Sequence, residues 1–289
     1  MMTRTDIIGF AYNPAINKSL EFVNSLVKDL DLSGSSWIAP ASNIEIDKDI
    51  LDKTSVVITV GGDGTILRVA KSVMKQSLPI LGINLGRVGF MTELELDEAL
   101  LKIPKYLSGS YRVEERMMLK AVIVSSDQSS PEVEFHALND VVITRGSLPR
   151  LLDLDTRIDG VLLTTYRADG LIVSTPTGST GYSLSAGGPI LYPEAKQIIM
   201  QPLAAHLSFQ TGLVVSEQSN IELKMNGNQL SIVSIDGSND NLEHDQKVIL
   251  SKSPYVARFL RKEGSGEFYS NLTQKFGITG RQVPNPKII

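Results

Sequence analysis

The residues that first suggest chemistry lie at positions 61–65, where the sequence reads Gly-Gly-Asp-Gly-Thr. An apolar run of strand length, residues 56–60, leads into this stretch, and a helical pattern follows it. Glycines at such a turn permit unusual backbone conformations or let a ligand approach the main chain closely, and the start of the next helix suits phosphate. Because a carboxylate beside phosphate is repelled unless it binds a metal ion or takes a proton, Asp63 is a candidate catalytic residue.

A structural alternative for this stretch is a tight strand-to-helix turn in which the Asp63 carboxylate caps the helix. The usual phosphate-binding motifs are missing, since the sequence has no Gly-Lys pair for a Walker loop and no Gly-x-Gly-x-x-Gly after a strand. It also has no Gly-x-Ser-x-Gly elbow. Phosphate bound at residues 61–65 is therefore expected to be held in another way.

A second glycine-bearing stretch, residues 84–90, includes Asn84 and Arg87. It lies just past the end of a predicted strand, at the edge where ligands of open α/β sheets collect. An ordinary loop between a strand and a helix would have a similar composition, so both interpretations stay open.

Asn139 and Asp140 precede another apolar run. An amide next to a carboxylate supplies donors and acceptors that can bind a ribose diol or an adenine edge. The alternative is an Asx turn that opens a strand.

The longest polar stretch, residues 169–189, combines hydroxyls and glycines with one aromatic ring, Tyr182, and few charges. This inventory fits recognition of a base and a sugar better than it fits catalysis. The alternative is a hydroxyl-rich loop without a ligand.

The chain has 289 residues, of which 42% are hydrophobic, and this is enough for two domains with cores of their own. Its formal net charge of −4 argues against a nucleic-acid binder that relies on bulk charge. No cysteine is present, and the three histidines are too scattered for a zinc pattern. No apolar run approaches the roughly 18 residues of a membrane span, and no signal peptide is evident. A cytoplasmic protein without nucleic-acid or membrane partners is expected.

Apolar spacing predicts alternating strands and helices up to about residue 107, which implies a parallel sheet covered on both faces. The predicted strands are 6–12, 37–39, 56–60 and 80–84, and the predicted helices are 20–30, 66–74 and 97–107, the last containing Pro104.

From residue 118 onward, short strands dominate, and together they indicate a sandwich-like all-β domain. They are predicted at 119–124, 133–136, 140–144, 151–158, 161–166, 171–174, 213–215, 221–225, 230–235, 247–250 and 256–260. Asp159-Gly160 is a two-residue hairpin signal. A helical interruption is predicted near Ser179 and a final helix over 268–276.

Taken together, residues 61–65, 84–90, 139–140 and 169–189 resemble NAD kinase, the ATP-NAD kinase family, in motif order and spacing. The first motif alone is shared with diacylglycerol-type lipid kinases and phosphofructokinases, whereas the stretch around Tyr182 is far more specific. The resemblance covers about residues 55–190 and implies a Rossmann-like α/β N-terminal domain and an all-β sandwich-like C-terminal domain that binds NAD. The expected bounds are 1–112 and 113–265, with a final segment, 266–289, that packs back on the first domain.

The resemblance implies transfer of the γ-phosphoryl group of ATP, or of polyphosphate, to the adenosine ribose 2′-hydroxyl of NAD, which forms NADP. Asp63 matches the family's catalytic aspartate, and Asn139 with Asp140 matches the pair at the ribose and adenine side. Asp169 matches an aspartate that faces the nicotinamide portion. The full set of candidate cofactor-binding residues is Gly61, Gly62, Gly64, Thr65, Asn84, Arg87, Asn139, Asp140, Arg167, Asp169, Thr177, Thr180, Gly181, Tyr182 and Ser185.

The resemblance further implies that Mg²⁺ or another divalent cation arrives with ATP, and that the protein forms a homodimer or homotetramer. Position 181 is Gly where the family usually has Ala, and Asp236-Gly237 replaces a phosphate-contacting histidine of some members. Arg167 resembles members that prefer NAD to NADH. Two other interpretations stay open: a related lipid or sugar kinase, and a catalytically silent dinucleotide sensor.

Overall fold

The computed structural model describes residues 7–86, 89–125, 132–146, 150–206, 208–227, 230–264 and 267–277. Its N-terminal part alternates strands and helices. In chain order the elements are β1 (Ile7–Tyr12), α1 (Ser19–Asp29), β2 (Ser36–Pro40), α2 (Lys48–Asp52), β3 (Thr54–Gly61), α3 (Asp63–Val73), β4 (Pro79–Asn84), β5 (Leu94–Glu95) and α4 (Leu96–Leu107). The first four strands pair in parallel in the order β4-β3-β1-β2.

Helices cover both faces of this parallel sheet, as the sequence predicts. On one face, α3 packs Ile66 and Val69 into a core that includes Val57 of β3. On the other, α1 and α4 contribute Val23 and Ile103. β3 is therefore buried along almost its whole length, and this packing fixes the position of the turn that follows it.

The C-terminal part is almost entirely strand. Its elements are β6 (Arg112–Ser125), β7 (Val133–Ala137), β8 (Asp140–Arg145), β9 (Leu152–Ile158), β10 (Val161–Ala168), β11 (Gly170–Ser174), α5 (Tyr182–Ser185), β12 (Gln197–Leu203), β13 (Leu213–Ser216), β14 (Ile221–Asn226), β15 (Ser231–Ile235), β16 (Ser238–Leu242), β17 (Gln246–Arg261) and α6 (Glu267–Phe276). A 3₁₀ turn over Gly178–Thr180 precedes α5.

Two sheets pack face to face in this part, which confirms the predicted sandwich. The smaller has the order β13-β12-β11-β8-β15-β16, and the larger contains β10-β9-β14-β17 with β6 and β7 beside them. Their facing side chains form one apolar core, with Val141 and Leu171 from the smaller sheet and Leu119 and Leu223 from the larger.

The larger sheet does not stop at the sandwich. The end of β17 pairs in parallel with β4 at Arg258 and Phe259, so one eleven-stranded sheet runs through both parts of the molecule. The prediction of two separate strands at 247–250 and 256–260 is wrong, because β17 is a single strand of 16 residues. The polar residues between the two apolar runs lie at a register shift against β6, between Lys252 and Val256.

Several elements were not predicted, and their composition explains why. β16 is polar and mostly exposed, and the hairpin turn at Asp236 and Gly237, with φ of 48° and 81°, places it beside β15. β12 contains Pro202, which lies beyond the residues of β12 that pair with β13, so its missing N–H interrupts no ladder there. α2 and β5 have only five and two residues, too short to show a period.

The remaining local predictions hold. Asp159 and Gly160 form the β9–β10 hairpin with φ of 51° and 82°. α4 continues past Pro104 to Leu107. Among the described residues, no helix has the length and apolar character needed to span a membrane.

Candidate functional site

The glycine-rich turn is a close-packed junction with an open outer side. β3 ends at Gly61 and α3 begins at Asp63, so Gly62 alone joins them. A Cβ atom on Gly61 would lie 2.2 Å from the Thr65 hydroxyl, whereas Cβ atoms on Gly62 and Gly64 would meet nothing within 4 Å. None of these glycines has positive φ. Gly61 is therefore required because a larger residue would collide with Thr65. The turn does not use the left-handed backbone conformation that glycine permits.

The Asp63 carboxylate does not cap its own helix, which excludes the structural alternative. No side chain caps α3 at Gly62. Instead Asp63 Oδ2 accepts a hydrogen bond from the Phe90 N–H at 2.9 Å, and Oδ1 accepts one from the Met91 N–H at 3.0 Å. Gly89 lies against the same carboxylate, because a Cβ atom there would be 2.2 Å from Oδ1. The first two predicted stretches therefore meet at Asp63.

Asn84 is buried and its polar atoms are used within the protein. Its Oδ1 accepts from the Gly86 N–H at 3.1 Å, and its Nδ2 donates to the Gly86 carbonyl at 3.1 Å. Nδ2 also lies 3.2 Å from both carboxylate oxygens of Glu95. The side chain shapes the loop after β4 and is not open toward a ligand. The other candidate in this stretch, Arg87, lies outside the described residues.

Asn139 and Asp140 are held in place by a residue that the sequence analysis gave no role. The Asp236 carboxylate accepts hydrogen bonds from the backbone N–H groups of Leu138 at 2.7 Å, Asn139 at 2.7 Å and Asp140 at 3.1 Å. The Asn139 Oδ1 atom is buried without a hydrogen-bond partner, so it does not close an Asx turn. The only available signal was the Asp-Gly pair at 236–237, which marks a hairpin.

The buried Asp140 and the half-buried Asp236 form an acidic pair. Burial, reinforced by the nearby charge of Asp236, raises the pKa of Asp140 to about 7. Burial also raises the pKa of Asp236, against the three N–H groups that favour its ionised form. Asp140 therefore titrates near neutral pH, unlike an ordinary surface carboxyl.

The hydroxyl-rich stretch is fastened to Asn139. The Thr175 N–H donates to the Asn139 carbonyl at 2.9 Å, and the Cα of Gly178 is so close that a Cβ atom would lie 2.3 Å from that oxygen. The Thr180 hydroxyl donates to the Thr177 carbonyl at 3.3 Å, while the Thr177 hydroxyl is buried without a partner. Two buried polar atoms without a partner, Asn139 Oδ1 and Thr177 Oγ1, thus lie in neighbouring parts of the chain, and such atoms are uncommon in folded proteins.

Asp169 and Tyr182 line one cavity of about 560 Å³. Asp169 accepts a hydrogen bond at 2.7 Å from the Nε of Arg145, which lines the same cavity, and no sequence pattern predicted this contact. Tyr182 is 48% exposed, so its ring is available to a flat ligand. Gly181 and Ser185 flank it on the same short helical turn, and Ser185 is exposed.

Arg167 is separated from this group. It lies on β10 with its side chain exposed, and its backbone carbonyl accepts from the His206 N–H at 2.7 Å. It is not among the described residues that line the cavity with Asp169.

Asp63 and the hydroxyl-rich stretch are joined through Asp236 and Asn139. Gly64, next to Asp63, lines a cleft of about 190 Å³ together with Asp236, Asp236 holds the Asn139 N–H, and the Asn139 carbonyl touches the stretch at Gly178. No described hydrogen bond links Asp63 directly to Tyr182. A chain of contacts thus links the glycine-rich turn to the hydroxyl-rich stretch, while Asn84 and Arg167 lie outside it.

A family model described as the ATP-NAD kinase N-terminal domain matches residues 17–111, and one described as the ATP-NAD kinase C-terminal domain matches residues 138–262. An NAD kinase of Dehalococcoides mccartyi (strain CBDB1) is 36% identical over 270 residues, which cover 93% of this chain and 95% of that protein. An NAD kinase of Geobacter sp. (strain M21) is 42% identical over 224 residues, covering 76% and 77%.

Two solved structures share the fold. Yeast NADH kinase complexed with NADH superposes with a TM-score of 0.85 at 25% identity and covers 96% of this chain and 89% of that one. An NAD kinase from Archaeoglobus fulgidus in complex with ATP has a TM-score of 0.74 at 27% identity, with 95% and 100% covered. The agreement extends over both parts of the molecule and decides against a lipid or sugar kinase and against a silent sensor. The chain belongs to the NAD kinase family, whose members phosphorylate NAD to NADP with ATP.

Proposed function

We propose that Asp63 is the catalytic residue, which orients the 2′-hydroxyl of the adenosine ribose and accepts its proton late in the transfer. The observation that supports this role is the way in which the protein holds the Asp63 carboxylate. Asp63 is half-buried at the start of α3 and is held by two backbone N–H groups. A carboxylate oxygen has two lone pairs, so each oxygen keeps one site for a hydroxyl.

The reaction needs little covalent help from the protein. The ribose 2′-oxygen forms a bond to the γ-phosphorus while the bond from that phosphorus to the bridging oxygen of ADP breaks. The hydroxyl proton passes to Asp63, and ADP leaves with the electron pair. The contribution of this chain is then mainly to bring the hydroxyl and the phosphorus together in line.

The donor phosphates are proposed to lie against Gly62 and Gly64. Cβ atoms there would meet nothing within 4 Å, so the main chain is bare, and Gly64 is exposed in the first turn of an 11-residue helix, whose N-terminus favours anions. The described residues contain no cluster of three or more His, Cys, Asp or Glu side chains for a metal ion. The phosphate oxygens of ATP, together with water, would supply the oxygen ligands that Mg²⁺ prefers, so no dedicated protein site is needed. When bound, Mg²⁺ offsets the negative charge between phosphate and Asp63.

NAD is proposed to occupy the surface from Asp140 to the cavity at Asp169. Asp140 and Asn139 would bind the ribose hydroxyls, since the buried Asn139 Oδ1 lacks a partner. The buried Thr177 hydroxyl, also unpartnered, and the exposed Tyr182 ring would border the base. Asp169 would face the nicotinamide portion from a site it shares with Arg145.

The experiment that tests the role of Asp63 is an assay of NADP formation from NAD with ATP and Mg²⁺. Asp63→Asn is expected to lower kcat by roughly 10²-fold or more while NAD binding persists, the usual scale for a positioned acid–base group. Asp97→Asn is a matched control, because Asp97 is an exposed carboxylate in the first turn of α4. Near-normal turnover of Asp63→Asn would remove Asp63 from the chemistry. Replacing ATP by polyphosphate in the same assay defines the donor.

We also propose a preference for NAD over NADH, on the resemblance of Arg167 to members with that preference. Comparable turnover of the two dinucleotides by the purified protein would contradict it.

The proposed cellular location is the cytoplasm, and fluorescence microscopy of a tagged chain tests it.

A homodimer or homotetramer is proposed on the apolar edge of the larger sheet. β10 ends this sheet and exposes Val161, Leu162 and Leu163 by 70%, 48% and 39%, an edge that monomers usually protect. Light scattering should show an oligomer that Leu162→Lys reduces in size, while Leu101→Lys, at an exposed position of α4, leaves it unchanged. A monomeric native protein would contradict the proposal.

A further inference from the structure

The segment that receives the Asp63 carboxylate is irregular, and two arginines from distant strands hold it. Residues 89–92 form neither helix nor strand. Arg116 of β6 and Arg261 of β17 are 2% and 6% exposed, and both contact this segment. We infer that both arginines are positioning residues for phosphoryl transfer, because they fix the peptide groups that set the location of Asp63. This inference rests on the proposed role of Asp63.

The contacts of the arginines are with backbone carbonyl groups. Arg116 Nη2 donates to the Phe90 carbonyl at 3.2 Å. Arg261 Nη1 donates to the carbonyls of Met91 at 3.1 Å and Thr92 at 3.2 Å. Three consecutive carbonyls are thus occupied, and the segment is fixed from the side opposite Asp63.

A single peptide group connects Arg116 to Asp63. The Phe90 carbonyl and the Met91 N–H belong to the same planar unit and point in opposite directions across it. Arg116 binds the carbonyl at 3.2 Å, and Asp63 Oδ1 accepts from the N–H at 3.0 Å. A rotation of this plane that misdirects one bond misdirects the other. The guanidinium charge also polarises the peptide and makes the N–H a stronger donor.

The arginines cannot move easily, because they share two partners. Glu114 Oε1 accepts from Arg116 Nε at 2.8 Å and from Arg261 Nε at 3.1 Å. Both guanidinium groups also lie over the Phe259 ring, at 4.8 Å and 5.2 Å from its centroid. This preorganisation is what a catalytic carboxylate needs from its surroundings, since a misplacement of about 1 Å can lower a rate by about 10²-fold.

A purely structural role for the arginines would make a different kinetic prediction. It would lower the amount of folded enzyme, while the folded molecules kept their kcat. Arg116→Lys retains the charge but replaces the planar fork by a single ammonium, which cannot bind Glu114 and the Phe90 carbonyl in the same geometry. We expect kcat per folded active site to fall about 10- to 100-fold, while KM for NAD and ATP stays within about threefold.

Two arginines of the same region serve as controls. Arg112 donates to Glu114 at 2.9 Å but has no described contact with residues 89–92, so Arg112→Lys tests the charge network alone. Arg258 pairs with Glu115 at the surface, so Arg258→Lys should behave as the native enzyme. An equal loss of kcat in Arg112→Lys and Arg116→Lys would overturn the inference.

The decisive measurement is the double variant Asp63→Asn with Arg116→Lys. If Arg116 acts through Asp63, the double variant is no slower than Asp63→Asn alone, whereas additive losses overturn the inference. An active Asp63→Asn single variant defeats the proposed function itself. A slow Asp63→Asn with a fully active Arg116→Lys defeats only the role of Arg116. If Arg116→Lys does not fold, Arg261→Lys replaces it in the same cycle, with the same expected and contradicting results.

Discussion

Two buried carboxylates near the site, Glu114 and Asp140, have similar exposures of 5% and 8% and opposite surroundings. Burial alone would raise the pKa of Glu114, but Arg116 and Arg261 bring it down to about 2. Burial raises the pKa of Asp140 to about 7, and the charge of Asp236 adds to the effect. Among the described residues, Asp140 has no ion-pair partner.

The difference separates a structural charge from a functional one. The charge of Glu114 is balanced by Arg116 and Arg261. These arginines in turn fix the backbone of residues 90–92. The Asp140 carboxyl has no such compensating charge among the described residues, and groups with a perturbed pKa of this kind cluster at functional sites. The site therefore combines a rigid backbone segment that holds Asp63 with a carboxyl, Asp140, that titrates near neutral pH where the ribose is proposed to lie.

The largest expected effect is on stability at the compensated side. Glu114→Gln leaves Arg116 and Arg261 buried with less negative charge between them and should lower the free energy of unfolding by about 3–5 kcal/mol, measured by urea denaturation. Glu194→Gln removes a partner of Arg112 that is one-third exposed and should change stability by less than about 1 kcal/mol. Equal effects would mean that Glu114 stabilises the protein no more than a partly exposed partner of Arg112 does.

The pKa of Asp140 is shifted in the direction opposite to that of Glu114, so its contribution to stability depends on pH in the opposite sense. Because the pKa of Asp140 is raised in the folded protein to about 7, folding binds a proton that the unfolded chain releases near pH 4. Stability from this group is therefore present at low pH and is lost as pH rises from about 4 to about 7. Asp140→Asn, which stays neutral, should be more stable than the native protein by about 4 kcal/mol at pH 8 and by little at pH 4. A parallel pH dependence of the two proteins would contradict this.

The cavity wall offers a test that involves no buried charge. Tyr182→Ala should weaken NAD binding by about 1–3 kcal/mol if the ring borders a base, as measured by calorimetry. Tyr269→Ala is a control, since that ring is 61% exposed on α6. Unchanged affinity in Tyr182→Ala would assign the ring to packing.

The smallest expected effect sharpens the role of Asp140 itself. If the ionised carboxylate accepts a hydrogen bond from ribose, NAD affinity should rise by up to about tenfold per pH unit below its pKa of about 7. Asp140→Asn should flatten this profile. An affinity that falls with pH would show that the protonated carboxyl is the donor.

The sequence predicts the elements that show a local period, and with them the scaffold of the site. Asp63 was found because its whole context, a buried strand, glycines and a helix, is contiguous. Asp236 carries no such context, and its role depends on a hairpin that returns to residues 138–140. Arg116 and Arg261 contact residues 90–92 across 26 and 170 positions of chain, and no local pattern reports such contacts. The family resemblance supplied the roles of Asn139 and Asp169, which the residues alone left open.

The parallel contact between β17 and β4 has a consequence for how the chain is made. Arg258 and Phe259 cover an edge of β4 that was synthesised almost 180 residues earlier, opposite Pro79 and Ile80. Until then that edge presents unpaired backbone groups, which favour pairing with other chains. Nascent or truncated forms that end before this strand should therefore depend on chaperones to keep that edge from pairing with other chains.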